Sequence, residues 1–229
     1  VRLALMSLAG EMGYPSVLSA KTWGFYDVLF KGHPFKFQRG YGTYVMENVL
    51  FKISFPAEFH AQTAVEAAVA LYPKVAPRLD QIAKVRIRTH ESALRIIDKR
   101  GPLDNPADRD HCLQYMTAVP LIFGPRAAND YEDDVASDPR IDALRAKMQV
   151  RENPAFTRDY HDAEKRFIGN AVQVRFNDGT QTDRVEVSVP IGHRQRRGEG
   201  LPLLEAKFRD SLSIKLGAER FKKLDDLCR

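Results

Sequence analysis

A Phe-Pro pair at Phe55 and Pro56 constrains this chain more than any other step. It separates an extended stretch, Tyr44 to Ser54, from a run with alanines at helical spacing, Phe59 to Tyr72. Proline has no N–H to donate and a fixed φ, so it suits a helix start, and Glu58 just after it suits the positive end of the helix dipole. The alanines permit close packing of another element on the helix, and Pro73 is expected to end it. The bend sets Lys52 and His60 on either side of itself, which makes them neighbours in space and able to share one pocket.

Elsewhere the patterns alternate between the two kinds of structure. Thr22 to Phe30 repeats apolar residues at helical spacing before Gly32 and reads as a short buried helix. Ala83 to Thr89 alternates apolar and basic residues in the manner of a half-buried strand. Ala171 to Phe176 and Arg184 to Val189 flank Asn177-Asp178-Gly179, a hairpin signal. Helices are expected over Pro106 to Phe123, Ala127 to Asp134, Pro139 to Met148 and Pro154 to Lys165. They return over Leu203 to Leu216 and Ala218 to Cys228, where Leu203, Leu204, Phe208, Leu212 and Leu216 share a face. The order helical, mixed, helical predicts an α+β fold in which a mixed domain is inserted into a helical one whose two flanks pack together.

Charge and cysteine usage narrow the function classes. Lys and Arg number 35 against 30 Asp and Glu, a formal net charge of +5, dispersed except in the stretch Gly192 to Gly200. That stretch, GHRQRRGEG, has no interleaved aromatic residue and reads as a solvated loop, so a nucleic-acid or anionic-surface role rests on it and the net charge alone. The longest apolar runs fall far short of the roughly 20 residues a membrane span needs. The chain starts at Val1, and its first residues read as the end of a helix stopped by Gly10 and Gly13, which points to a fragment or processed product. Cys112 and Cys228 form no CxxC pair and fit a reducing compartment. They are also fewer than the three or four thiolates an iron–sulfur cluster uses.

Six histidines occur without HxxxH or HExxH spacing, so a metal site has little support, and no GxGxxG, Walker A or GxSxG pattern is present. His111 and Tyr115 sit at i and i+4 of an expected helix and would project from one face. Two readings stand: a phenol that donates to a substrate oxygen, or a core tyrosine beside an exposed histidine. Taken singly, Lys52 reads as a surface lysine and His60 as a satisfied helix residue.

Three longer stretches carry more together: KTWGFYDVLFKG, FKISFPAEFHAQTAVEAA and DNPADRDHCLQYMTAVPLIFG, with LLEAKFRDSL near the end. Through them the chain resembles the C-terminal half of the dehydratases of the MmgE/PrpD family, over essentially its whole length. The resemblance implies a helical domain and an α+β lid, here with residues 1–47 and 192–229 on the helical side and 48–191 as the lid. It implies removal of water from 2-methylcitrate to give 2-methyl-cis-aconitate, without an iron–sulfur cluster or other cofactor. Lys52 then corresponds to a carboxylate-binding lysine and Tyr115 to an active-site tyrosine. Relatives carry a histidine soon after the proline; here Glu58 or Gln62 stands near that place and His60 is shifted, with the role of acid or base.

The implied catalytic set is Lys52, His60 and Tyr115, and the implied substrate-binding set is Lys52, Gln62, His111 and Tyr115. No metal is implied. The expected partner is a tricarboxylate, with no nucleic acid or membrane, in a homodimer of the cytoplasm, or of the mitochondrion in a eukaryote. Decarboxylation of cis-aconitate and a noncatalytic scaffold of the same fold are the alternatives. The family's other acid–base groups, an Asp and His residues, belong to the N-terminal half, so the isolated chain is expected to be inactive.

Overall fold

The computed structural model describes residues 1–37, 40, 42–125 and 128–227, with the backbone alone at Ala128 and Asn129. Ala127 and Cys228, at the ends of two expected helices, lie outside them. Two compact units divide the chain, Val1–Met46 and Glu47–Arg229.

In the first unit, helix α1 (Arg2–Leu8) stops before Gly10, whose φ of +90° is open to a residue without a Cβ. Helix α2 (Phe25–Phe30) is shorter than its sequence pattern. Thr22 takes a left-handed φ of +70° and gives its N–H to the Asp27 carboxylate at 2.5 Å, so it stands outside the helix. The expected burial of this helix is not found: Trp23 is 85% exposed within the chain, and Val28 and Leu29 are exposed as well. Phe25, Phe30, Phe35 and Phe37 instead pack ring on ring at 5.1 to 6.0 Å between centroids. Helix α3 (Tyr44–Asn48) occupies the start of the stretch expected to be extended.

The second unit opens with a 3-10 turn, Phe59–Ala61, that runs into helix α4 (Gln62–Val75). Pro73 does not end α4. A proline forfeits one ladder hydrogen bond, but Leu71 and Val75 on either side are buried in the core and hold the chain in register until Ala76. Strand β1 (Ile82–Thr89) follows, then helices α5 (Glu91–Ile97), α6 (Pro106–Asp110) and α7 (Leu113–Phe123). The single helix expected from Pro106 to Phe123 is therefore two. His111 closes α6, and Cys112 is extended with φ −125° and ψ 105°. This break overturns the i, i+4 relation of His111 and Tyr115: His111 is exposed, while Tyr115 is buried one turn into the next helix.

Helices α8 (Asp133–Ala136) and α9 (Pro139–Arg145) lead to strand β2 (Met148–Glu152), a strand that was not expected and that begins at the last residue of the helix expected over Pro139 to Met148. Five residues are too few for alternation to outweigh the helical signal just before them. Helix α10 (Pro154–His161), strands β3 (Asn170–Phe176) and β4 (Val185–Val187), and helices α11 (Arg197–Ser213) and α12 (Ala218–Leu227) complete the unit. The strand order is β2-β1-β3-β4. β2 runs parallel to β1 with Thr89 opposite Glu152, and β3 and β4 pair antiparallel. The expected hairpin turns at Gly179, φ +88°. Val85, Ile87, Val172 and Val174 bury one face of this sheet in a core shared with Ala64, Ala68 and Leu71 of α4 and Leu121 of α7, so the fold is α+β.

The basic stretch at 192–200 is not a solvated loop. Arg196 forms paired hydrogen bonds to Glu66 of α4 at 2.8 and 2.9 Å and also holds Glu199, an arrangement that raises its pKa, through the bonds to Glu199 first and then Glu66. Arg197 covers the Phe51 ring at 4.1 Å and donates to the carbonyls of Gly192 and Val49 at 3.0 and 2.5 Å. The two arginines therefore fasten the start of α11 to α4 and to the extended segment that carries Lys52.

Candidate active site

The Phe-Pro bend is held from below by Gln62. Its amide donates to the carbonyls of Phe55 at 2.7 Å and Ala57 at 2.5 Å, and the side chain is buried. Glu58, extended at φ −54° and ψ 145°, caps the 3-10 turn by accepting from the His60 N–H at 2.8 Å. Its other oxygen meets His60 Nδ1 at 2.7 Å. Burial favours the neutral acid of Glu58, but the hydrogen bonds and charge of His60 outweigh it and leave the pKa below the ordinary value. An ionised carboxylate only accepts, so Nδ1 of the neutral ring carries the proton. Nε2 is then the acceptor facing the Tyr160 hydroxyl at 3.1 Å.

The chain reaches this geometry through the sheet. The parallel register places Thr89 beside Glu152, and the next residues, His90 and Asn153, follow side by side. The Asn153 N–H donates to the Thr89 carbonyl at 2.7 Å, and the Asn153 side chain caps α10. Two turns along α10, Tyr160 stacks on the His90 ring at 4.6 Å and 17°. The His60 and His90 centroids are 5.2 Å apart. From the other side, Asn170 at the head of β3 donates to the His60 carbonyl and to Thr63 Oγ1, both at 2.8 Å. Glu58, His60, Tyr160 and His90 thus form one cluster drawn from three separate segments.

His90 is fully buried, and its Nε2 makes no hydrogen bond of good geometry. Burial and then the charge of His60 lower its pKa to about 4, so it stays neutral where a free imidazole would titrate. The unfolded chain takes this proton near 6.5, the folded one only near 4. Between those values the unfolded state binds more protons, so stability falls as the pH drops through the window, by up to roughly 3 kcal/mol, and levels off below it. His90→Gln is expected to flatten this slope, measured as urea midpoints at about pH 7 and about pH 4.5. Equal slopes in both proteins would rule His90 out as the acid-sensitive group.

The other candidates from the sequence lie at different depths. Lys52 is exposed, with Nζ 5.3 Å from the Phe59 ring centroid, and its carbonyl accepts from Lys207 Nζ at 2.6 Å. His111 is exposed on the loop after α6, near enough for its charge to help lower the Glu58 pKa. Tyr115 is buried and donates to the Asp130 carbonyl at 2.6 Å, with burial pushing its pKa up to about 12. It lines a cavity of about 20 Å³ shared with Phe55, Pro56, Met116 and Tyr131. That volume suits about one water and no tricarboxylate. The structure brings an imidazole and a phenol together, but the phenol at His60 is Tyr160.

The sequence marks Glu58 as a helix-dipole residue and as standing near the place of the family's histidine, and it gives no sign of Tyr160 or His90. The Glu-x-His spacing, Glu58 to His60, was the one local signal available. Among the described residues, no group of three or more His, Cys, Asp or Glu is disposed to hold a metal ion, and no helix is long and apolar enough to cross a membrane. Because the Gln62 amide is engaged by the bend, Gln62→Leu is expected to cost about 2 kcal/mol through the two abandoned carbonyls. A change in KM at full stability would instead assign Gln62 to the ligand.

An α+β unit with a carboxylate-oriented histidine at the mouth of an alanine-rich helix is the class of protein defined so far, and sequence comparison gives it a family. The family model of the MmgE/PrpD C-terminal domain matches residues 55–228, so the chain belongs to the MmgE/PrpD family. It is 62% identical over 99% of its length to 2-methylcitrate dehydratase of Salmonella typhimurium, covering 48% of that protein. It is 65% identical over 93% of its length to the 2-methylcitrate dehydratase of Cupriavidus necator, covering 45% of that protein. The mitochondrial 2-methylcitrate dehydratase of Yarrowia lipolytica is 62% identical over 91% of the chain, with 41% of its own length covered. The chain spans about half the length of these relatives.

Proposed function

We propose that the protein containing this chain eliminates water from 2-methylcitrate to give 2-methyl-cis-aconitate. The observation that carries the substrate is the identity of 62 to 65% with proteins named 2-methylcitrate dehydratase, sustained over nearly the whole chain. The chemistry needs a proton to leave a carbon beside a carboxylate and another to reach the departing hydroxyl, while three negative charges are held. His60, its Nδ1–H bound to Glu58 and its Nε2 shared with Tyr160, is built to accept a proton at Nε2 and pass it on. Lys52 supplies exposed positive charge and His111 an exposed imidazole donor for the carboxylates, which lowers the cost of carbanion character next to them. Gln62 and Tyr115 belong to the site by keeping the bend and the Asp130 loop in place.

The remaining parts of the reading go together. Residues 48–191 act as a lid, and residues 1–47 and 192–229 join a helical domain completed by the rest of the protein. The enzyme works as a homodimer, needs no cofactor, and resides in the cytoplasm, or in the mitochondrion of a eukaryote. Purified intact protein, offered 2-methylcitrate and cis-aconitate in parallel, is expected to raise the absorbance of the unsaturated acid from the first and to release no CO2 from the second. Loss of CO2 from cis-aconitate with no turnover of 2-methylcitrate would replace this reading with the decarboxylase one. Failure with both would leave the scaffold.

A further inference from the structure

The face of the sheet turned away from the core is crowded with unpaired positive charge. Alternation along β1 points Lys84, Arg86 and Arg88 outward, β2 adds Gln149 and Arg151, and β3 adds Gln173 and Arg175. Across the strands, Arg88 stands directly opposite Arg151, and Lys84 directly opposite Arg175. Like charges in such positions destabilise a sheet. Among the described residues no carboxylate pairs with Arg86, Arg88, Arg151 or Arg175. The acid on this face, Glu186 of β4, is bound to Arg184. Arg86, Arg88, Gln149 and Arg151 line a hollow of about 260 Å³.

We propose that this hollow binds a compact multivalent anion, one with two or more carboxylates or phosphates spaced to meet adjacent arginines. The spacing follows from strand geometry. Arg86 and Arg88 are two residues apart on one face, about 6.6 Å, and Arg88 and Arg151 are on neighbouring strands about 4.8 Å apart. Anionic groups at those distances within one small molecule each meet a guanidinium fork, which matches carboxylate and phosphate alike. The Gln149 amide, opposite Arg86, adds a neutral donor. A bound anion would remove the repulsion that the two like-charge pairs impose on the empty face.

Other occupants fit less well. A second copy related by a twofold axis would set this same positive face against itself. Single-stranded nucleic acid would want stacking surfaces, and the outward residues named here include no aromatic. The inference stands apart from the proposed reaction, since none of these arginines takes part in the His60 cluster.

Thermal melting of the intact protein with pyrophosphate, with tricarballylate, and with sodium chloride at matched ionic strength tests it, alongside the Arg88→Gln/Arg151→Gln variant. At least one of the two anions is expected to raise the melting temperature of the wild type beyond the chloride control. Which one does so tells a phosphate ligand from a carboxylate one. The variant is expected to lose that increment, to bind about tenfold or more weakly by calorimetry, and to keep kcat and KM. Without ligand it should melt at the same or a higher temperature, because repulsion has been removed. The proposal is overturned if neither anion exceeds chloride, if the variant keeps the increment, or if only long polyanions such as RNA bind.

Discussion

Replacing His60 by Gln is expected to lower kcat of the intact protein in the proposed dehydration of 2-methylcitrate by about a hundredfold or more while the fold is retained. Glutamine keeps a side-chain amide that can reach Glu58, but it offers no site that gains and loses a proton near neutral pH. The geometry adds a second element to the test. Glu58 holds Nδ1 and Tyr160 faces Nε2, so Glu58→Gln should also depress kcat by releasing the ring to the wrong tautomer. Tyr160→Phe should alter the pH profile of kcat more than KM. Steady-state kinetics across pH, with circular dichroism to confirm folding, would check all three. Near-normal turnover by His60→Gln would demote the cluster to scaffolding, and the proton would have to move elsewhere.

The second large effect concerns a residue with no side chain. A Cβ on Gly192 would lie 1.7 Å from the Phe51 carbonyl oxygen and 2.9 Å from its nitrogen, a clash with backbone that no rotamer can relieve. Phe51 donates its N–H to the Gly192 carbonyl at 3.1 Å, so the two segments run in direct contact. Gly192→Ala is expected to cost about 3 kcal/mol and to push the Lys52 segment off α11. Hydrogen exchange at the Phe51 amide should accelerate, and, with Lys52 in the proposed carboxylate-binding role, KM for the proposed tricarboxylate substrate should rise as the segment moves. Gly198→Ala is the control. It lies within α11 with nothing within 4 Å of the added methyl, so it should be neutral or stabilise by up to about 1 kcal/mol. Similar losses from both substitutions would show that helix propensity, and not the contact at Phe51, governs this region.

How much of the candidate site could be read in advance depends on the range of the interactions concerned. His60 and the Pro56 bend were legible because a proline, an acidic cap and an alanine run act within one or two turns. The hairpin at Asn177-Asp178-Gly179 was legible because turn chemistry is local. The split between α6 and α7 escaped because the extended backbone at Cys112 interrupts an otherwise helical pattern without a glycine or proline to mark it. β2 escaped because its five residues follow a helix directly. That strand mattered most, since its pairing with β1 sets α10, and with it Tyr160, against His90.

Residue order alone therefore determined the α+β class, the bend that presents His60, the charged and apolar stripes of the individual elements, and membership of the MmgE/PrpD family. Tertiary structure decided which phenol meets the imidazole. Tyr115 on α7 and Tyr160 on α10 are the same residue type in helical settings, yet one spends its hydroxyl on a core carbonyl and the other faces Nε2. Hydrogen bonds between β1 and β2, segments about sixty residues apart, make that choice. Pairing at such a distance rewards the chain only after both partners are folded, so no local period records it.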